Sequence, residues 1–128
     1  MDCPRGHGSL GEAKLDELVL DRCVTCGGIW LDFAQLERVL SRDARTLQKL
    51  MPHGPSAKPE DPEGEDQRTI PCPRCTGTLL RMRLMPEMLH YYSCVTCYGR
   101  WLDGEELRRI VGQPLTAKFE SLFRQLLD

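Results

Sequence analysis

Two stretches of this chain read Cys-Val-Thr-Cys, at 23–26 and at 94–97, and each sits inside a longer matching pattern. Both are followed, one residue on, by glycine (Gly28, Gly99) and then by Trp-Leu-Asp (Trp30-Leu31-Asp32, Trp101-Leu102-Asp103). Leu36 and Leu107 fall at equal distances beyond. Upstream, Cys3-Pro4-Arg5 answers to Cys72-Pro73-Arg74, and Gly8 and Leu10 answer to Gly77 and Leu79. The offset is 69 at the first knuckle and 71 at the second, so the second copy has two extra residues between its knuckles. A repeat of this detail implies two homologous modules.

The spacing of the cysteines says what the modules need. Cys72-x2-Cys75, eighteen residues and Cys94-x2-Cys97 bring four thiolates from two knuckles, the pattern of a structural zinc site. One C-x-x-C pair alone would leave a redox motif open, but two pairs on about forty residues without a βαβ pattern argue against it. The total of seven cysteines is odd, which also disfavours a closed set of disulfides. In the first copy Gly6 stands where the second has Cys75, and His7 follows. A neutral imidazole is a normal zinc ligand, and the flanking Gly6 and Gly8 can absorb the extra residue. The expected ligands are therefore Cys3, His7, Cys23 and Cys26 in one site, and Cys72, Cys75, Cys94 and Cys97 in the other. His53 and His90 match no ligand position and are expected on the surface. Units this small rarely support themselves by apolar burial, so two structural zinc ions per chain are expected to drive folding.

The fold class expected is small, zinc-stabilised α+β: two tandem ribbons of knuckle, β-hairpin, knuckle and helix. Residues 1–51 form the first module, 70–113 the second, and 114–128 an additional C-terminal amphipathic helix. Between the modules, 52–69 carries four prolines and the acidic stretch Glu60 to Asp66 with almost no apolar residue, and is expected to be a flexible linker. In the first module Leu10, Lys14–Leu15 and Leu18–Leu20 suggest two strands turned near Asp16-Glu17. In the second, Thr78–Leu84 and Leu89–Ser93 are the strands and Met85-Pro86-Glu87 the turn. Asp32 with Gln35, and Asp103 with Glu106, have the spacing of capping boxes. Helical periodicity predicts a first helix to about Met51, a second over Glu105–Val111 stopped by Gly112 and Pro114, and a third from Thr116. The third would line up Phe119, Leu122, Phe123, Leu126 and Leu127 on one face. Trp30 and Trp101 are expected in the core. The apolar helix faces would cover the ribbons and each other, or offer a surface for a partner or for self-association.

The strings C-P-R-C-x-G-x-L and C-x-x-C-x-G-x-W-L-D-x-x-E-L are similar to those of the prokaryotic transcription-factor-IIB-type zinc-finger family. The second module carries them in full from Cys72 to Leu107. The first departs at Gly6–His7 and at Gln35. The resemblance implies a zinc-ribbon fold and ligand roles for Cys3, Cys23, Cys26, Cys72, Cys75, Cys94 and Cys97; His7 is inferred from the residues themselves. A shared ribbon does not determine function.

Charge separates the function classes. Seven thiolates and two dications move the formal charge from −2 to about −5. Nucleic-acid affinity comes mostly from phosphate neutralisation, so an acidic total disfavours it. Arg81, Arg83 and Arg100 on one face could still contact phosphate. Closed zinc sites leave no position for a catalytic water, and no Ser/His/Asp set or phosphate-cradling glycine loop is present. The chain has no run of apolar residues long enough to span a membrane and its start lacks the order of a secretory signal, so a cytoplasmic location is expected. The leading expectation is a non-enzymatic, zinc-stabilised interaction module with an unidentified protein partner; the alternative is a nucleic-acid-binding transcription regulator.

Overall fold

The computed structural model describes residues 1–52, 69–84, 89–112 and 117–127, the side chains of 117–120 excepted. The expectations for 53–68, for the Met85-Pro86-Glu87 turn, and for His53, Pro114, Thr116 and the Phe119 side chain lie outside the described residues. Of the segment expected as linker, Pro52 is buried and Thr69 begins a strand.

In the first half, β1 (Gly11–Leu15) and β2 (Leu18–Arg22) form the expected hairpin, turned at Asp16 in a left-handed conformation with φ 56°. Asp is among the few residues that adopt it without glycine's freedom. The short β3 (Ile29–Leu31) follows the second knuckle. Asp32 then caps α1 (Phe33–Leu40) with a full capping box: its carboxylate accepts from Gln35 N at 2.8 Å, and Gln35 Oε1 accepts from Asp32 N at 3.0 Å.

The first helix is not continuous to Met51. It ends at Leu40, and Asp43 starts a new short helix, α2 (Ala44–Leu47), followed by a 3-10 turn, Gln48–Leu50. The cause is local. Ser41 Oγ donates to Arg38 O at 2.6 Å and Asp43 accepts from Thr46 N at 2.8 Å, bonds that short polar side chains offer in place of the helical ladder. The apolar periodicity survives the break, because Leu36, Val39, Leu47 and Leu50 are all buried on one side.

The second half repeats the order. After β4 (Thr69–Pro71) come β5 (Thr78–Leu84), β6 (Leu89–Cys94), β7 (Arg100–Leu102), α3 (Gly104–Val111), α4 (Ala117–Arg124) and a 3-10 turn, Gln125–Leu127. α4 and its 3-10 turn follow the second ribbon as α2 and its 3-10 turn follow the first, whereas β4 answers only to the single bridge Asp2–Ser9 in the first half. Leu122, Phe123 and Leu126 are buried, whereas Leu127 is 41% exposed. Asp103 precedes α3 as expected, but its side chain makes no cap bond. Glu106, expected to close the box, accepts instead from His90 N at 3.1 Å.

The modules meet edge to edge. β3 pairs antiparallel with β7, with Ile29 opposite Leu102, Trp30 opposite Trp101 and Leu31 opposite Arg100. Among the described residues one seven-stranded antiparallel sheet results, in the order β1-β2-β3-β7-β6-β5-β4. The Trp30–Trp101 pair stands at its pseudo-twofold centre. Strand alternation then divides the molecule into two layers. On one face Ile29, Leu31 and Leu102 join the apolar sides of all the helices in one core. On the other, Trp30 and Trp101 join the cysteines, Leu79 and Tyr92 in a second core. The helix layer crosses the junction as well: α1 touches the C-terminal 3-10 turn, and α3 touches the turn Gln48–Leu50. Among the described residues, Leu36, Val39, Leu47, Leu107, Ile110, Leu122, Phe123 and Leu126 of this layer are buried within the chain.

Two arginines, Arg100 buried and Arg22 half-buried, hold this layer to the sheet. Arg22 donates to Leu50 O, and Arg100 Nε donates to Leu126 O at 2.7 Å. Each guanidinium meets the carbonyl end of a helical segment, where the backbone dipole is negative. Arg100 therefore does not share a surface with Arg81 and Arg83, as the sequence allowed. It is only 5% exposed and lies on the helix side of the sheet, opposite them.

Candidate metal centres

Each metal set grows from two tight turns. In the first module Cys3 N donates to Gly8 O at 2.7 Å and Cys23 N to Gly28 O at 2.9 Å. In the second Cys72 N donates to Gly77 O and Cys94 N to Gly99 O, both at 3.0 Å. These turns point backbone N–H groups at sulfur: Arg5 N to Cys3 Sγ at 3.4 Å, Cys75 N to Cys72 Sγ at 3.4 Å and Cys97 N to Cys94 Sγ at 3.4 Å. Such bonds stabilise thiolate over thiol. Gly6 and Gly8 take φ of 82° and 91°, the left-handed turns by which the first knuckle absorbs its extra residue and still presents His7.

All eight expected ligands converge, four to a site. The ligand atoms of Cys3, His7, Cys23 and Cys26 lie within 4.8 Å of one another, and so do those of Cys72, Cys75, Cys94 and Cys97. Sulfurs about 2.3 Å from a tetrahedral zinc lie about 3.8 Å apart. Cys3 and Cys26 are 3.9 Å apart, Cys72 and Cys97 3.8 Å, Cys75 and Cys94 3.5 Å, and Cys3 Sγ to His7 Nδ1 is 3.6 Å. The cradles have the size of the ion, and none of the seven cysteines is in a disulfide.

Titration fits the same reading. A hydrogen bond from Cys26 holds Cys3 down at about 5, while the same contact pushes Cys26 far up. Burial pushes Cys72 up to about 12. Burial acts in the same direction on Cys94, but the N–H groups of Cys97 and Thr96 outweigh it and bring that thiol to about 7. In each set one thiol is thus lowered and another raised, and metal binding favours the deprotonated form of its ligands.

The sites are not independent of the junction. A Cβ on Gly28, in the first knuckle pair, would lie 2.2 Å from the Trp101 ring, and one on Gly99 would lie 2.2 Å from the Trp30 ring. Each tryptophan therefore roofs the other module's metal loop, and only glycine fits beneath it. The arginines of the two C-P-R motifs cross the junction too. Arg5 forks onto Asp103, Nε to Oδ1 at 2.9 Å and Nη2 to Oδ2 at 2.7 Å, and also donates to Tyr92 OH at 3.1 Å. Its guanidinium lies 5.1 Å from the Tyr92 ring centroid. Burial disfavours the guanidinium's charge, and Asp103 more than offsets it. Asp103 Oδ1 also accepts from Trp101 Nε1 at 2.9 Å. In the mirror position Arg74 reaches Asp32 at 3.1 Å.

Sequence reasoning read Arg5 and Arg74 only as parts of a repeat, and Asp103 only as a cap. The available clue was the pairing of C-P-R with W-L-D in both copies; nothing in one linear pattern says that each pair closes with the other copy's partner.

The sequence pattern of the transcription factor zinc-finger family, a zinc ribbon of transcription-factor-IIB type, matches residues 2–42 and again 71–112. The matches cover about two thirds of the chain, and the protein belongs to this family. Two structural zinc ions, one per ribbon, fit its two ligand sets. No curated protein and no solved structure matches the chain. No helix among the described residues is long and apolar enough to cross a membrane.

Proposed function

We propose that this chain is a non-enzymatic, zinc-stabilised interaction module that binds a protein partner in a transcription-related setting. The observation that supports this most is the closure of both metal sets. Each offers four side-chain ligands, which completes a tetrahedron and leaves no place for a substrate or water. The ions then act as struts, and function falls to the surface they hold. Most of the described apolar residues of the helix layer are internal. The knuckle side instead exposes Val24 (87%) and Val95 (60%), equivalent residues of the two C-V-T-C turns, together with Tyr98. Apolar groups at a rigid tip suit a protein contact better than phosphate.

The test is affinity capture from the native host with wild-type protein and with Val24→Glu/Val95→Glu as bait. A protein retained by the first and lost with the second, at equal zinc content and melting temperature, is the expected result. Identical captures would count against the reading.

The second reading, a nucleic-acid-binding ribbon, draws on one observation. Arg81, Arg83 and His90 share a face of the β5–β6 hairpin, the face that carries the metal knuckles. Labelled duplex or single-stranded nucleic acid that binds at low micromolar concentration, with a steep salt dependence lost in Arg81→Gln/Arg83→Gln, would put this reading first.

A further inference from the structure

We propose that the two zinc sites are thermodynamically coupled: zinc in one raises the affinity of the other, through the buried Arg5–Asp103 contact at the module junction. This rests on the two-zinc assignment and not on the proposed partner.

The physical chain is short. Arg5 is two residues from Cys3 and its own N–H bonds that ligand's sulfur. Its side chain ends on Asp103, which is anchored to the indole of Trp101. That indole lies over Gly28, whose carbonyl accepts from the N–H of Cys23. The next residue, Gly104, begins α3 against the metal loop itself: a Cβ there would stand 1.9 Å from the carbonyl oxygen of Cys26. Module two thus touches the first metal set at both of its knuckles, through Arg5 at one and through Trp101 and Gly104 at the other. In return Arg5 bonds Tyr92, two residues before the ligand Cys94 on the same strand.

A knuckle without metal has little to keep its turns in place. If the first set is empty, Arg5 and the Cys26 carbonyl lose their fixed positions, and Asp103 becomes a buried carboxylate with no cation. The empty state of one site therefore weakens the folded, binding-competent state of the other. By reciprocity of linkage the effect runs equally in both directions. The mirror contact contributes less. Arg74 and Asp32 keep 53% and 26% of their side-chain surface exposed, so water replaces either partner at small cost.

The full-length chain would be titrated with zinc against a competing chelator, and its metal states counted by native mass spectrometry. Two equal independent sites leave about half of the molecules with one zinc at half-loading, and unequal independent sites leave more; a coupling of about sixteen-fold lowers that share to about one fifth. We expect a share near one fifth for wild type and for Arg74→Gln. In Asp103→Asn, a change in module two at a residue that is no ligand, the share should rise to half or more while two zincs still bind at excess metal. Arg5→Lys keeps the charge but loses the fork, and should fall between. A share of half or more in the wild type, or an unchanged share in both Asp103→Asn and Arg5→Lys, would overturn the proposal.

Discussion

The two halves of the junction carry the same motif residues and use them differently. On one side Gly27 and Gly104 bring backbones into direct contact, and Arg5 and Asp103 are sealed beneath with 9% of each side chain exposed. On the other, the equivalent positions are Tyr98 and Phe33, whose rings meet edge to face at 6.5 Å. Rings need more room than glycines, and the Arg74–Asp32 pair beside them stays open to water. Tyr98 takes a left-handed φ of 63° where its counterpart Gly27 takes 76°, so the ring contact is held against a backbone preference.

The aspartates divide their labour accordingly. Asp32 gives one oxygen to its own helix cap and one to Arg74. Asp103 leaves its helix uncapped and gives both oxygens to Arg5, and one of them to Trp101 as well. The indole of Trp30, lacking that acceptor, has a buried N–H with no partner among the described residues. Homologous residues thus keep their places in a repeat while differing in role, and the neighbouring glycines or aromatic rings accompany the difference.

This comparison can be broken in stages. The largest effect should come from metal removal. Zinc supplies about 10–16 kcal/mol of coupled folding free energy to such sites, and each half roofs the other's metal loop. Chelation should therefore unfold both halves; retained far-UV circular dichroism with an unchanged melting curve after complete removal would refute this. Gly104→Val strikes the backbone contact itself, because its side chain must displace the Cys26 carbonyl. Overpacking costs about 1–3 kcal/mol, more where backbone is struck, and denaturant titration should show a loss at the top of that range. Phe33→Gly, its mirror change, removes a half-exposed ring and should cost less.

Removing Arg5 strands a buried carboxylate, a change worth about 3–5 kcal/mol. Arg5→Ala should therefore destabilise strongly in equilibrium unfolding of the zinc-loaded chain. Asp32→Ala loses a capping box and an exposed pair, about 0.5–2 kcal/mol. Smallest is Arg74→Ala, about 0–1 kcal/mol, in the same assay. Equal losses for Arg5→Ala and Arg74→Ala would erase the difference between the two sides.

The local parts of this fold were legible in the sequence for physical reasons. Thiolates at knuckle spacing have few uses other than a metal, so the eight residues that converge in two sets could be named, His7 included. The hairpins followed from apolar alternation, and the capping box at Asp32 from its spacing. The cap at Asp103 and the surface place of Arg100 were judged from sequence neighbours and decided by contacts made elsewhere, whereas the long first helix was judged from periodicity and ended by local side-chain bonds. Ser41 and Asp43 broke the helix where periodicity continued. Asp103 was drawn away by Arg5, 98 residues distant. Arg100 turned inward to a helix end 26 residues on. The repeat pattern left the arrangement of the two ribbons open, because no linear pattern shows that Ile29–Leu31 and Arg100–Leu102 are each other's partners.

That strand pairing is the central claim, and nuclear Overhauser contacts in the zinc-loaded full-length chain test it directly. The ring protons of Trp101 should contact the α-protons of Gly28, and those of Trp30 the α-protons of Gly99. If each indole shows contacts only within its own module, the two ribbons do not share a sheet and the account of their junction is wrong.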